Sequence, residues 1–90
     1  MNNLIPCNFR FDLFGKFISL ELNKRAVLAD MKHFFSSVLG TSLFAKKIEY
    51  YQDVDGHFSQ IDDTRPLIES LTIRTNNTMN FKVNIVEMGA

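Results

Sequence analysis

The residues of this chain whose chemistry could support catalysis or metal binding are one cysteine, two histidines and a cluster of aspartates. Cys7 falls on the apolar side of an alternating stretch, and His33 and His57 are far apart in sequence. A thiol without a neighbouring base is typical of a structural cysteine rather than a nucleophile. Isolated histidines without carboxylates at ligand spacing are typical of a solvated surface. With no G-x-S-x-G elbow and no Gly-rich phosphate loop, the sequence predicts neither an enzyme nor a bound cofactor.

The acidic run from Asp53 to Gly56 has part of the spacing of a calcium-binding EF-hand loop. Tyr51 occupies the ligand position before Asp53, Asp62 replaces the closing glutamate, and the flanking residues are typical of strands rather than helices. Asp-Val-Asp-Gly is equally typical of a tight turn, because the aspartate side chains bond their own backbone. We therefore predict a turn and no metal.

Length and composition predict one domain over residues 1–90, with a core over about 7–87. Lysine plus arginine equals aspartate plus glutamate at ten each, which disfavours general binding to nucleic acid or membrane surfaces. The single cysteine excludes an internal disulfide, and a reduced, cytoplasmic setting is expected. No apolar run is long enough to cross a bilayer, so no membrane span is expected.

One segment, Arg25–Gly40, has the period of an amphipathic helix. Leu28, Met31, Phe35 and Val38 recur at three- and four-residue spacing, which places them on one helix face; Phe34 and Leu39 widen that stripe. Gly40 supplies a residue that tolerates positive φ at the helix end. The rest of the chain has strand and turn patterns, so this helix is predicted to cover a sheet.

The strand patterns alternate between apolar and polar residues. Cys7, Phe9, Phe11 and Leu13 form the apolar side of the first strand, and Ile18, Leu20 and Leu22 that of the second, with a hairpin at Gly15 between them. Further strands are predicted at Lys47–Tyr51, His57–Ile61 and Met79–Glu87, a helical turn at Leu67–Leu71 and a turn within Thr75–Thr78. The first and last strands are the most apolar by alternation, and we predict that they lie side by side, parallel, in the centre of a mixed four- to five-stranded sheet. The predicted class is α+β.

This order of elements resembles the ubiquitin-like β-grasp family. The resemblance is carried by Asp12–Lys16 with the following Phe17-Ile18-Ser19-Leu20, by the helix start Val27–Lys32, and by the closing segment Leu67–Phe81. The resemblance implies one main helix packed on the sheet, and a domain that binds proteins rather than an enzyme.

Functional positions of ubiquitin differ in this chain. Ubiquitin ends in Gly-Gly, whereas this sequence ends Glu87-Met88-Gly89-Ala90, so conjugation through this C-terminus is not expected. By alignment, the three positions of ubiquitin's apolar recognition patch are occupied by Leu13, Glu49 and Lys82. A charged pair there removes the apolar contact that ubiquitin receptors bury. A modifier processed from a longer precursor is the alternative.

Within the family, Ile48–Tyr51, an insert containing Gly56, Ile61-Asp62-Asp63 and Arg65-Pro66-Leu67 look most like the ubiquitin-like domains of tubulin-folding cofactors. This similarity implies a place in tubulin-handling or other cytoskeletal machinery. A FERM-type or Ras-association β-grasp module also fits the pattern.

The solvent side of the predicted sheet is the candidate binding surface for a protein partner. By alternation it carries Arg10, Asp12, Lys47, Glu49, Tyr51 and Lys82, with Leu13 at the hairpin. Mixed charges on such a surface fix the register of a bound partner and raise its association rate, and Tyr51 supplies an aromatic side chain that can anchor the partner. A solvated polar face is the alternative for any one of these residues.

Phe17 is out of phase with the apolar residues of the second strand, so its ring is predicted to be exposed at a sheet edge. An exposed aromatic there predicts self-association, unless Leu4 and Ile5 cover the ring.

Overall fold

The fold is an α+β arrangement in which a five-stranded mixed sheet packs against one main helix. The computed structural model describes residues 3–70 and 78–87. The strands are β1 Leu4–Phe11, β2 Lys16–Asn23, β3 Lys46–Val54, β4 His57–Gln60 and β5 Met79–Glu87. The helices are α1 Lys32–Leu39 and the short α2 Leu67–Ser70. The order of elements is the predicted one, and the arrangement is compatible with a β-grasp.

The strands lie in the order β2-β1-β5-β3-β4. β1 and β5 run parallel, with Phe9 opposite Phe81, and the other neighbouring strands pair antiparallel. The prediction that the first and last strands are parallel neighbours is confirmed. Their central position follows from their composition, because a strand with neighbours on both sides buries its alternating apolar residues most completely.

The core lies between the sheet and α1 and consists largely of aromatic rings. Phe35 projects from α1 onto the sheet, with ring centroids 5.0 Å from Phe9 and 5.1 Å from Phe11. Phe9 also stacks on Phe81 at 4.9 Å, and Tyr50 packs beside them. Phe9, Phe11 and Phe35 are fully buried. Edge-to-face contacts of this kind add to the free energy gained from burial alone.

The α-helix is shorter than the predicted helical segment. Val27 has an extended backbone and forms a β-bridge with Pro66, and a 3₁₀ turn over Leu28–Met31 follows it. The amide of Ala29 donates to the carbonyl of Asp63 at 2.8 Å rather than to a helical partner. Tertiary pairing therefore overrides helical periodicity at this end. The other end is as predicted: Gly40 adopts φ +72°, and its amide donates to Ser36 at 3.0 Å.

Three residues predicted on the apolar side are exposed: Leu13, Phe34 and Val38. β1 ends at Phe11, and Leu13 lies in the 3₁₀ turn Asp12–Phe14 with 69 % of its surface exposed. The chain leaves the sheet there to reach Gly15, so the strand alternation no longer governs Leu13. Val38 is 46 % exposed and Phe34 is 41 % exposed, so α1 buries a narrower face, centred on Phe35, than the predicted stripe.

The strand boundaries also differ from prediction. β1 begins at Leu4 rather than at Cys7, and β3 extends to Val54. Leu4 pairs with Asn23 at one end of the β1–β2 ladder, whereas Phe17 pairs with Arg10 near the other. The lead-in therefore does not cover Phe17. Predictions for Leu71, for Thr75–Asn77 and for the tail 88–90 lie outside the described residues.

Candidate functional site

The face of the sheet turned away from α1, here called the outer face, carries the side chains that alternate with the core residues. One row crosses all five strands by direct pairing and consists of Phe17, Arg10, Lys82, Tyr51 and Gln60. The predicted site residues on four different strands are thus brought into one line. Phe17 belongs to this row as well as to the edge strand β2, because it is directly opposite Arg10.

A second row of the outer face consists of Ser19, Asn8, Asn80, Asp53 and Phe58. The Ser19 hydroxyl donates to Oδ1 of Asn8 at 2.7 Å, and the Asn8 amide donates to Oδ1 of Asn80 at 2.9 Å. These bonds tie β2, β1 and β5 together on the solvent side. The centre of the outer face is consequently a fixed surface, built on strands rather than on loops.

The remaining predicted site residues lie around the first row. Asp12 contacts Arg10, with Oδ1 3.0 Å from Nε. Glu49 accepts a hydrogen bond from the Tyr51 hydroxyl at 3.4 Å and lies 3.9 Å from the Lys47 ammonium. Ion pairs at the protein surface such as Asp12–Arg10 contribute little to stability. Leu13 is exposed in the turn after β1, beside this cluster in sequence but outside both rows.

Phe58 is an exposed aromatic residue of the outer face that the sequence analysis did not single out. Its ring is 47 % exposed and lies 5.2 Å from the Lys82 ammonium and 5.9 Å from the Arg10 guanidinium, measured to the ring centroid. A signal for it existed in the turn that precedes β4. Asp55 and Gly56 both have positive φ, as in a two-residue hairpin, and this turn places Phe58 opposite Asp53 on the outer face.

Cys7 is buried, as predicted from the alternation. Its thiol donates to the carbonyl of Ile5 at 3.3 Å, and burial raises its pKa to about 11. A nucleophilic cysteine requires a lowered pKa and access to solvent, so this thiol has the character of a core residue.

The acidic turn is a hairpin between β3 and β4, as predicted. Oδ1 of Asp53 accepts the amide of Gly56 at 3.0 Å. Among the described residues, no three or more histidine, cysteine or acidic side chains lie close enough together to hold a metal ion. Within residues 3–70 and 78–87, no helix is long and apolar enough to cross a membrane.

Comparison of the sequence with models of protein families finds no match, and comparison with curated proteins finds none. The resemblance to ubiquitin-like domains therefore stays a prediction that rests on the residues quoted above.

Proposed function

We propose that this chain is a non-enzymatic interaction domain that binds a protein partner through its outer face. The observation that carries the proposal is the grouping of exposed aromatic side chains around two cations. Phe17 is 65 % exposed and Phe58 is 47 % exposed, and Arg10 and Lys82 lie on the same face. Phenylalanine and arginine are among the residues enriched in protein interfaces.

The resemblance adds a setting to this proposal. A ubiquitin-like adaptor of the cytoplasm, within tubulin-folding or other cytoskeletal machinery, accords with the residues of β3 and of the segment around Pro66. The outer face differs from that of ubiquitin, because charged residues stand at two of its three recognition positions. We therefore expect a partner other than a ubiquitin receptor.

The proposal is tested by affinity capture with the domain as bait, using cell extract and, separately, purified tubulin. The test variant Glu49→Arg/Lys82→Glu changes the outer face without changing net charge. The control variant Arg65→Glu/Glu69→Arg makes the same exchange at an exposed pair 3.4 Å apart, outside the sheet. We expect the partner to be captured by wild type and control and to be reduced at least tenfold on the outer-face variant. Equal capture by all three would contradict the proposal, and failure to capture tubulin would remove the tubulin setting.

Self-association through β2 is a second candidate, favoured by one observation. β2 is an edge strand, and Phe17 is the most exposed phenylalanine among the described residues. An exposed aromatic on an unpaired strand edge promotes pairing with another chain. Light scattering of wild type beside Phe17→Ser decides this candidate: a dimer that dissociates in the variant supports it, and a monomer in both removes it.

A further inference from the structure

Two positive charges stand side by side at the centre of the outer face. Arg10 and Lys82 are direct partners in the parallel β1–β5 ladder, so their side chains project from neighbouring points of the same surface. Like charges directly opposite each other destabilise a sheet. Both cations lie within 6 Å of the Phe58 ring centroid, which attracts each of them but carries no net charge.

The carboxylates of the outer face leave this charge only partly neutralised. Asp12 pairs with Nε of Arg10, Glu49 pairs with Lys47, and Asp53 accepts the amide of Gly56. Within residues 3–70 and 78–87, Lys82 has no carboxylate within 4.0 Å. Asp12 contacts only Nε of the Arg10 guanidinium. The other N–H groups of the same guanidinium can donate hydrogen bonds to a ligand.

A shallow cleft opens where these cations meet the aromatic rings. It is lined by Asn8, Arg10, Phe17, Asp53, Asn80, Phe81 and Lys82. A group that enters this cleft meets positive charge in the middle and an exposed aromatic side chain, Phe17, at one side. Phe58 lies beyond Lys82.

We propose that the outer face binds an acidic side chain of the protein partner, with its carboxylate on Lys82 and Arg10. Apolar neighbours of that aspartate or glutamate pack on Phe58 and Phe17. The bound carboxylate offsets the repulsion between the two cations and gains charge-assisted hydrogen bonds. A nucleic acid is a poorer occupant, because the chain has equal numbers of acidic and basic residues and no basic surplus to neutralise phosphates. The inference rests on the proposed function.

The test is selection from a displayed library of random 12-residue peptides. Three baits are compared: the wild-type domain, Lys82→Glu and the control Arg25→Glu. The control makes the same charge change at an exposed residue on the connection between β2 and α1. We expect aspartate and glutamate to be enriched on wild type and control, and lysine and arginine to replace them on Lys82→Glu.

One selected peptide is then compared with its acid-to-amide version by fluorescence anisotropy. We expect the amide peptide to bind wild type about tenfold more weakly, with the difference abolished in Lys82→Met. Circular dichroism verifies that this variant is folded.

The outcomes separate this inference from the proposed function. Selected peptides that lack acids, but lose binding in Phe58→Ala, would overturn the acidic-partner inference and leave the outer face as the binding surface. Peptides that bind Lys82→Glu and Phe58→Ala as well as wild type would contradict both. A library that yields no binding peptide would overturn the inference, while the affinity capture above still tests the proposed function.

Discussion

At the scale of single residues, Lys82 has one repulsive neighbour and one attractive neighbour. Lys82 is opposite Arg10 in the β1–β5 ladder, which repels its ammonium. The Phe58 ring attracts the same ammonium from 5.2 Å away. Repulsion in such a pair and the cation–π attraction are each worth about 0.2–1 kcal/mol, so they nearly cancel. A residue that contributes so little to folding, at the centre of a rigid face, is free to serve binding.

Replacing Lys82 by an apolar residue of similar length tests whether the repulsion from Arg10 and the attraction to Phe58 cancel. We expect Lys82→Met to keep the packing against Phe58 and lose the repulsion, so the free energy of unfolding stays unchanged or rises by up to about 1 kcal/mol. Urea unfolding measures this, with Lys47→Met as control, since Lys47 lies 3.9 Å from Glu49 and has an attractive neighbour to lose. A large loss of stability in Lys82→Met alone would show that Lys82 is structural.

At the scale of elements, α1 is held to the sheet chiefly by one ring. Phe35 is fully buried among Phe9, Phe11 and Tyr50, whereas its neighbour Phe34 is 41 % exposed. We expect Phe35→Ala to lower the free energy of unfolding by about 3–5 kcal/mol, because it leaves a cavity between helix and sheet. Phe34→Ala should cost about 1 kcal/mol or less, since its ring is already partly in water.

Urea denaturation of both variants measures the difference between these adjacent phenylalanines. A loss of about 4 kcal/mol is a large share of the total stability of a small domain, so Phe35→Ala is expected to be close to unfolding at room temperature. Similar losses in both variants would mean that Phe35 is not the main anchor of α1 on the sheet.

The end of α1 gives a second prediction at this scale. Gly40 has φ +72°, and the space around its Cα is open. Gly40→Ala should therefore cost about 1 kcal/mol through backbone strain alone, without any clash. Thermal unfolding followed by circular dichroism measures it, and an unchanged melting temperature would contradict the left-handed geometry at this helix end.

At the scale of the whole molecule, much of the fold follows from periodicity. Alternation locates the strands and the side of the sheet on which Arg10, Tyr51 and Lys82 lie. Tertiary pairing limits such reasoning: the β-bridge at Val27 shortens the helix, and the turn that begins at Asp12 takes Leu13 out of the sheet. The turn at Asp55 and Gly56 indicates the face on which Phe58 lies, but its contact with Lys82 joins strands that are distant in sequence and could not be predicted.

The buried core predicts the response of the whole fold to alkali. Burial raises the pKa of Cys7 from 9.0 to about 11, and burial followed by the charge of Asp63 raises the pKa of Tyr50. Between the unfolded and folded pKa values the unfolded chain has lost the proton and the folded chain retains it. The contribution of these two groups to the free energy of unfolding is therefore fully present below about pH 9. It is lost as the pH rises from there toward their pKa values in the folded state.

For Cys7 the loss should approach about 1 kcal/mol per pH unit between pH 9 and 11. Urea unfolding at several pH values measures it, with Cys7→Ala as comparison. The variant is less stable at neutral pH but should have a shallower decline above pH 9. Parallel curves for the two proteins would exclude the thiol as a source of the decline.

Site-directed photo-crosslinking shows directly whether the outer face is the surface that binds the partner. A photoreactive phenylalanine analogue is placed at Phe58 on the outer face or at Val38 on α1, two positions with nearly equal exposure of 47 % and 46 %. We expect a partner crosslink from position 58 that is lost in the Glu49→Arg/Lys82→Glu background, and none from position 38. A crosslink to the same partner from position 38 alone would contradict this expectation.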